Sequence, residues 1–408
     1  RALDIYDDIR HLNINDEHHH QSDRADAGKA AKRPQDSKER LMTAARKTGQ
    51  TAFVTGASRS ISKAAALPLG PSRPANVFRA AAPALAAVRP DPAQTVQHRR
   101  GPGASTLDAR SGQGTIMTHS PQPAPQPATQ PAPGYIDAAN QFITVGGTRF
   151  AYRELGPRGG VPLILLNHWG AVLDNFDPRL VDGLARQHHV IALDYRGIGL
   201  SGGSAPLTIG EMAADAIAVI GALGFKTVDL MGFSLGGFVA QDVVEKAPGL
   251  VRKLILTGTG PAGGEGIARV GAVSWPLIIK GLLTFRDPKT FLFFTSTENG
   301  RRAASDFLAR LKERRTGRDR GPTPRAFLRQ LRAIHAWGRQ VPQDLGRIRI
   351  PVLVANGDND IMVPTSNSRD LARRIPGAEL VIYDDAGHGG IFQYHLQFVP
   401  KALAFLAA

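Results

Sequence analysis

The stretch from Val228 to Gln241, Val-Asp-Leu-Met-Gly-Phe-Ser-Leu-Gly-Gly-Phe-Val-Ala-Gln, constrains this chain more than any other. An apolar run of strand type enters Gly232-x-Ser234-x-Gly236, and a helix-like run leaves it. Joined that tightly, strand and helix backbones nearly touch. Gly232 and Gly236 lack the Cβ atoms that would collide there. Ser234 then occupies a strained turn at a helix N-terminus, where free N–H groups and the dipole favour a developing negative charge. This is the pattern of a nucleophile elbow, which lifts a serine hydroxyl above a sheet edge. Five residues with three fixed recur by chance, so the rest of the chain must supply a sheet, a base and an acid.

The sheet is legible after about residue 140. Gln141–Val145 and Thr148–Leu155 alternate apolar and polar around Gly146-Gly147, which predicts a hairpin. Val161–Leu166, Val190–Asp194, the elbow strand, Leu254–Thr257 and Pro351–Asn356 are continuous apolar runs, as strands buried on both faces require. Leu380–Tyr383 is a further strand. Helices are expected from the capping box Thr208-Ile209-Gly210-Glu211 to about Leu223, over Ser366–Ile375 and over His395–Leu406. Strands alternating with helices give an α/β class with a doubly wound, mostly parallel sheet. Right-handed crossovers then gather the loops after the strand ends on one edge.

The polar residues at those ends complete the chemistry. Asn356-Gly357-Asp358-Asn359-Asp360 follows one strand and Asp384-Asp385-Ala386-Gly387-His388 another, so the chain order is Ser, Asp, His. With Asn167-His168-Trp169-Gly170, Asp194-x-Arg196-Gly197-x-Gly199-x-Ser201, Gly232-x-Ser234-x-Gly236-Gly237, Gly357-x-x-Asp360-x-x-Val363-Pro364 and Gly387-His388, residues from about Phe142 to Leu406 resemble the α/β-hydrolase superfamily. Within it they are most similar to the branch of serine esterases, cofactor-free haloperoxidases and C–C hydrolases. Serine at the nucleophile position argues against the dehalogenase and epoxide-hydrolase branches, which place Asp there.

The resemblance implies roles. Ser234 is the nucleophile, His388 its base, and Asp360 the acid that orients the imidazole. Asp358 is a rival acid, read instead as a turn residue capping its own backbone. The oxyanion hole takes the N–H of Leu235 and a second N–H from Trp169 or Gly170; relatives have His-Gly-x where this chain has His168-Trp169-Gly170. His168 is read as bracing its loop. His119, His188, His189, His335 and His395 have no motif around them. By the same resemblance, about residues 258–348 form a helical cap, with apolar residues from Trp275 to Phe294 and arginines from Arg301 to Arg339. Those arginines are read as a solvated face. The implied function is hydrolysis of a carboxylic ester or related acyl substrate through an acyl-enzyme, without cofactor or metal. The alternatives are C–C hydrolysis, perhydrolysis, or a non-catalytic receptor on the same scaffold, against which the intact Ser-Asp-His set speaks.

Composition narrows the classes. The 408 residues hold no cysteine, which excludes disulfides and thiolate chemistry. No apolar run of transmembrane length occurs. The first residues, Arg1 to Asp8, are not a signal peptide, and the reading is cytoplasmic. A net charge of +15 fits arginine-rich solvated surfaces, and no nucleic-acid partner is expected. Residues 1–134 differ from the rest. Phe53-Val54-Thr55-Gly56-Ala57-Ser58 resembles the opening of short-chain dehydrogenases, yet Ser60 and Ser62 stand where further glycines are needed and prolines follow. No dinucleotide is expected to bind. His18-His19-His20 has no second ligand cluster. Pro121 to Pro133 reads as a polyproline-like linker. The expectation is a disordered or non-functional extension, with the functional protein beginning near Met117 and the hydrolase domain spanning 135–408.

Overall fold

The computed structural model describes residues 134–408. The dehydrogenase-like stretch, the histidine run, Met117, His119 and the proline-rich linker lie outside the described residues.

A hairpin opens the sheet: β1 (Gln141–Val145) pairs antiparallel with β2 (Thr148–Leu155). Gly146 and Gly147 both have positive φ, 53° and 75°, which a two-residue turn of this kind demands. There follow β3 (Leu163–Leu166), α1 (Pro178–Ala185), β4 (Val190–Leu193), α2 (Ile209–Ala222) and β5 (Val228–Phe233). Next come α3 (Leu235–Lys246) and β6 (Val251–Thr257). Four α-helices stand before the next strand: α4 (Val270–Leu283), α5 (Lys289–Leu292), α6 (Glu298–Arg310) and α7 (Pro324–Gly338). The chain closes with β7 (Val352–Gly357), α8 (Thr365–Arg374), β8 (Glu379–Tyr383), α9 (Gly390–Gln393) and α10 (His395–Ala407).

The eight strands form one sheet in the order β1-β2-β4-β3-β5-β6-β7-β8. All pairs from β4 to β8 are parallel; β2 runs antiparallel to both neighbours. Every residue of β3, β4, β5 and β7 is buried, which explains their unbroken apolar sequence. The strand order reverses at β3, with β4 on one side and β5 on the other. Such a switch point opens a crevice beyond the strand ends, where open α/β sheets bind ligands.

The capping box at α2 forms as expected. Thr208 Oγ1 accepts from Glu211 N–H at 3.1 Å, and the Glu211 carboxylate accepts from Thr208 N–H at 3.1 Å. The Asp194–Ser201 turn is braced by Ser201. Its Oγ accepts from Ala151 N–H at 2.9 Å and donates to the Asp194 carbonyl at 3.1 Å.

One expectation needs revision. The arginines between β6 and β7 are not all on a solvated face. Arg310 grips the buried Asp177 carboxylate, with Nη2 at 2.7 Å. Arg314 is buried and donates to the carbonyls of Ile136 and Ala138, each at 2.8 Å. These two tie α6 and the turn after it to the segments holding Asp177 and Ile136–Ala138, because a buried guanidinium needs acceptors for its fixed donors.

Candidate active site

Ser234 stands between β5 and α3 with φ 57° and ψ −117°, a conformation L-residues avoid. Such strain costs on the order of 1–3 kcal/mol and persists only where neighbours over-determine it. Here they do. Ser234 N–H donates to the Thr257 carbonyl at 2.9 Å, while the Ser234 carbonyl accepts from Gly237 N–H at 2.8 Å and Thr259 Oγ1 at 2.9 Å. The glycines are sterically required. A Cβ on Gly232 would lie 2.3 Å from the Gly236 carbonyl oxygen, and one on Gly236 would lie 2.1 Å from that of Leu166. Gly237 faces the Thr259 side chain in the same way, at 2.5 Å.

The loop after β7 and the loop after β8 meet. A Cβ on Gly357 would lie 2.1 Å from the Ala386 carbonyl oxygen, so glycine lets them close. Across this contact His388 Nδ1–H donates to Asp360 Oδ2 at 2.7 Å, with both side chains buried. The other carboxylate oxygen, Oδ1, accepts from Met362 N–H at 2.9 Å and Val363 N–H at 3.0 Å. Three donors therefore fix the carboxylate. His388 Nε2 is buried and has no partner among the described residues. The Phe233 and Phe293 rings pack on the imidazole, with centroids 4.9 and 5.3 Å away. Asp358 is exposed and takes no part in this pair. It accepts from Asn359 Nδ2 at 2.7 Å and Ala386 N–H at 3.1 Å, bracing the loop as a turn residue does.

The loop after β3 carries the remaining expected residues. His168 Nδ1–H donates to the Trp169 carbonyl at 2.9 Å. Burial pushes the His168 imidazole down to about 3, aided by the charge of Lys289, so the ring stays neutral. Its ring packs edge-on to Phe233 and Phe293, which is the bracing role expected. Gly170, at φ 70°, gives its N–H to Gln330 Oε1 on α7 at 2.9 Å. Trp169 stacks on Phe327 of α7 at 4.1 Å and donates Nε1–H to the Phe327 carbonyl at 2.8 Å. Leu235 is the first residue of α3, where N–H groups lack intrahelical acceptors.

Gln330 and Phe327 carry no motif in the sequence. A signal existed for Gln330: it is a polar residue on the buried face of α7 formed by Ala326, Ala333 and Trp337. Phe293 lies within the apolar stretch from Trp275 to Phe294 and has no motif of its own. Its carbonyl accepts from Gly389 N–H at 2.8 Å, which holds the residue next to His388.

The other histidines do different work. His189 Nε2 meets Glu154 at 2.7 Å beside the start of β4, and His395 Nδ1 meets the Phe392 carbonyl at 3.1 Å. A cavity of about 350 Å³ lies between the C-terminal half of α3 and residues 343–350. None of the expected site residues lines it, and Ser234 is at the opposite end of α3. Among the described residues no cluster of His, Asp and Glu suits a metal ion. No described helix is long and apolar enough to cross a membrane.

Comparison with known proteins agrees with this architecture. Residues 161–393, which include every expected site residue, match the family described as alpha/beta hydrolase fold. A solved α/β-hydrolase-fold protein from Chitinophaga pinensis is 38% identical, with a TM-score of 0.64, covering 67% of this chain and 99% of the other. A non-heme chloroperoxidase of Streptomyces lividans is 28% identical over 291 residues, 64% of this chain and 98% of its own. A Rhizobium rhizogenes protein with the provisional name carbamate hydrolase RutD is 28% identical over 234 residues, 56% of this chain and 86% of its own.

Proposed function

Because the chain belongs to the α/β-hydrolase fold family, we propose that it is a serine hydrolase of a carboxylic ester or related acyl substrate. The observation that carries this is the pairing at His388. Nδ1–H is committed to Asp360 at 2.7 Å, which makes Nε2 the basic nitrogen, and that nitrogen is buried without a partner among the described residues. A strained serine at a helix N-terminus is the group such a base serves.

In this reading Ser234 Oγ attacks the acyl carbon as its proton passes to His388 Nε2. Asp360 stabilises the imidazolium without taking the proton itself. The carbonyl π electrons move onto oxygen, and the oxyanion is held by the N–H groups of Leu235 and Trp169. We choose Trp169 over Gly170 because Gln330 already accepts the Gly170 N–H. As the tetrahedral centre collapses, the bond to the leaving oxygen breaks and His388 Nε2–H protonates it. Water then attacks the acyl-enzyme, His388 takes the water proton, and collapse returns it to Ser234 Oγ with release of the carboxylic acid. The helices between β6 and β7 serve as a cap, since α7 holds the oxyanion loop through Phe327 and Gln330. Residues before 135 are an extension dispensable for this chemistry.

The relative named as a chloroperoxidase favours a second reading at the same residues. Hydrogen peroxide would replace water in the second half-reaction and yield a peracid. A panel of esters of increasing acyl length, with and without peroxide, separates the two. Turnover present in the wild type and absent in Ser234→Ala supports the proposal; an unchanged variant rejects it.

A further inference from the structure

We propose that the outer face of α4 and the turn after it dock onto an anionic lipid surface. Helix α4 has two unlike faces. Val270, Ser274 and Gly281 are buried, and Trp275 packs edge-on to Trp169 with centroids 6.4 Å apart. On the opposite side Val273, Pro276, Ile279 and Leu283 recur at three- and four-residue intervals, and all are exposed. Leu282 continues the stripe, and Leu283 is 75% exposed. A helix in water places polar residues on such a face. Contiguous exposed apolar surface marks an interaction site.

Phe285 is the second observation. Helix α4 ends in a Schellman pattern: Phe285 N–H donates to the Leu282 carbonyl at 3.4 Å, and Arg286 N–H to that of Gly281 at 2.9 Å. Phe285 therefore sits at the left-handed position, with φ 55°, where glycine is favoured. Its side chain is 98% exposed. Neither the backbone nor the core gains from a phenylalanine there. An aromatic ring at a lipid–water boundary does gain, because it buries an apolar body at headgroup depth.

Charge selects the partner. Arg269, Lys280 and Arg286 are exposed along this element, and the Lys280 ammonium lies over the Phe291 ring at 4.6 Å. Asp287 is the exposed carboxylate of the turn, and Lys289 lies against it at 3.1 Å. Basic residues beside an apolar stripe fit anionic headgroups around inserted side chains, each contributing about fivefold to binding. Two copies of this face would oppose like charges, which disfavours self-association. Docking would hold the Trp169 loop one helix thickness, about 10 Å, from the lipid surface.

The test is co-sedimentation of the full chain with vesicles of phosphatidylcholine, alone or mixed with phosphatidylglycerol. Binding is expected to the mixed vesicles, weakening as salt rises. Phe285→Gly should lower it by about tenfold or more, and Lys280→Gln with Arg286→Gln by about twenty-five-fold. Phe285→Gly relieves the left-handed strain, so it should melt no lower than wild type; loss of binding then reads on docking rather than on folding. No binding by the wild type overturns the proposal. So does equal binding by the variants, or wild-type dimerisation in light scattering that Phe285→Gly abolishes.

Discussion

Adding one methyl group at Gly236 probes how closely the elbow is built. The new Cβ would sit 2.1 Å from the Leu166 carbonyl oxygen, 2.5 Å from its carbon and 3.0 Å from the Asn167 carbonyl oxygen. Ordinary contact begins near 3.4 Å. These are backbone atoms of β3 and its loop, so no side-chain rotation relieves the clash. Helix α3 must move from β3 by roughly 1 Å, and overpacking of this kind costs about 1–3 kcal/mol. For a domain of this size that lowers Tm by about 2–4 °C per kcal/mol. The same displacement parts Leu235 from the Trp169 loop, and a 1 Å misplacement can remove about 10² in rate. Gly221 is the control. It lies in α2, a Cβ there meets nothing within 4 Å, and Gly221→Ala should hold or raise Tm by its helix preference. Thermal melts and ester turnover are measured on both variants. A Gly236→Ala protein as stable and active as wild type would show that the elbow tolerates a Cβ at this position.

Three further outcomes are expected. Asp360→Asn should lose on the order of 10⁴ in kcat/KM, while Asp358→Asn loses little; the reverse ranking in steady-state assays would transfer the acid role to Asp358. Gln330→Ala leaves the Gly170 N–H without its acceptor, and a stability loss of about 1–3 kcal/mol should appear in urea unfolding; no change would mean that the bond to α7 is unimportant. The third concerns acid. Unfolded, His168 protonates near ~6.5; folded, it stays neutral until about 3. The unfolded chain thus binds more protons in that window. The contribution is present above pH ~6.5 and is lost as pH falls towards 3, by up to about 1.4 kcal/mol per pH unit. His168→Asn should flatten the slope of unfolding free energy against pH there; an unchanged slope would show that His168 does not govern it.

Much of the fold was legible because burial on both faces leaves an unmistakable sequence. β3, β4, β5 and β7 read as unbroken apolar runs. The sequence predicts β6 only from Leu254, because Arg252 and Lys253 interrupt its run. The structure accounts for both: Arg252 binds the buried Asp229 at 2.6 Å, and Lys253 donates to the carbonyls of Phe405 and Leu406 at 2.8 and 3.1 Å. The sequence pattern does not predict helix α1. Asp177 and Pro178 give a cap and a first-turn proline, but eight residues are too few for a helical period to stand out. The choice of Asp360 as partner of His388 rests on the family resemblance, because loop position alone leaves Asp358 as a rival; the contact itself is seen at 2.7 Å. Trp169 and Gly170 could not be separated, since Gly170 is engaged by Gln330, 160 residues further along the chain. Local sequence carries no record of a contact that distant.

Ser234 as nucleophile is tested most directly by the intact mass of the full chain after reaction with a fluorophosphonate. A single adduct is expected, mapped by peptide sequencing to Ser234, absent in Ser234→Ala and strongly slowed in His388→Ala, whose base is gone. An adduct that persists in Ser234→Ala, or none on the folded wild-type protein, would contradict it.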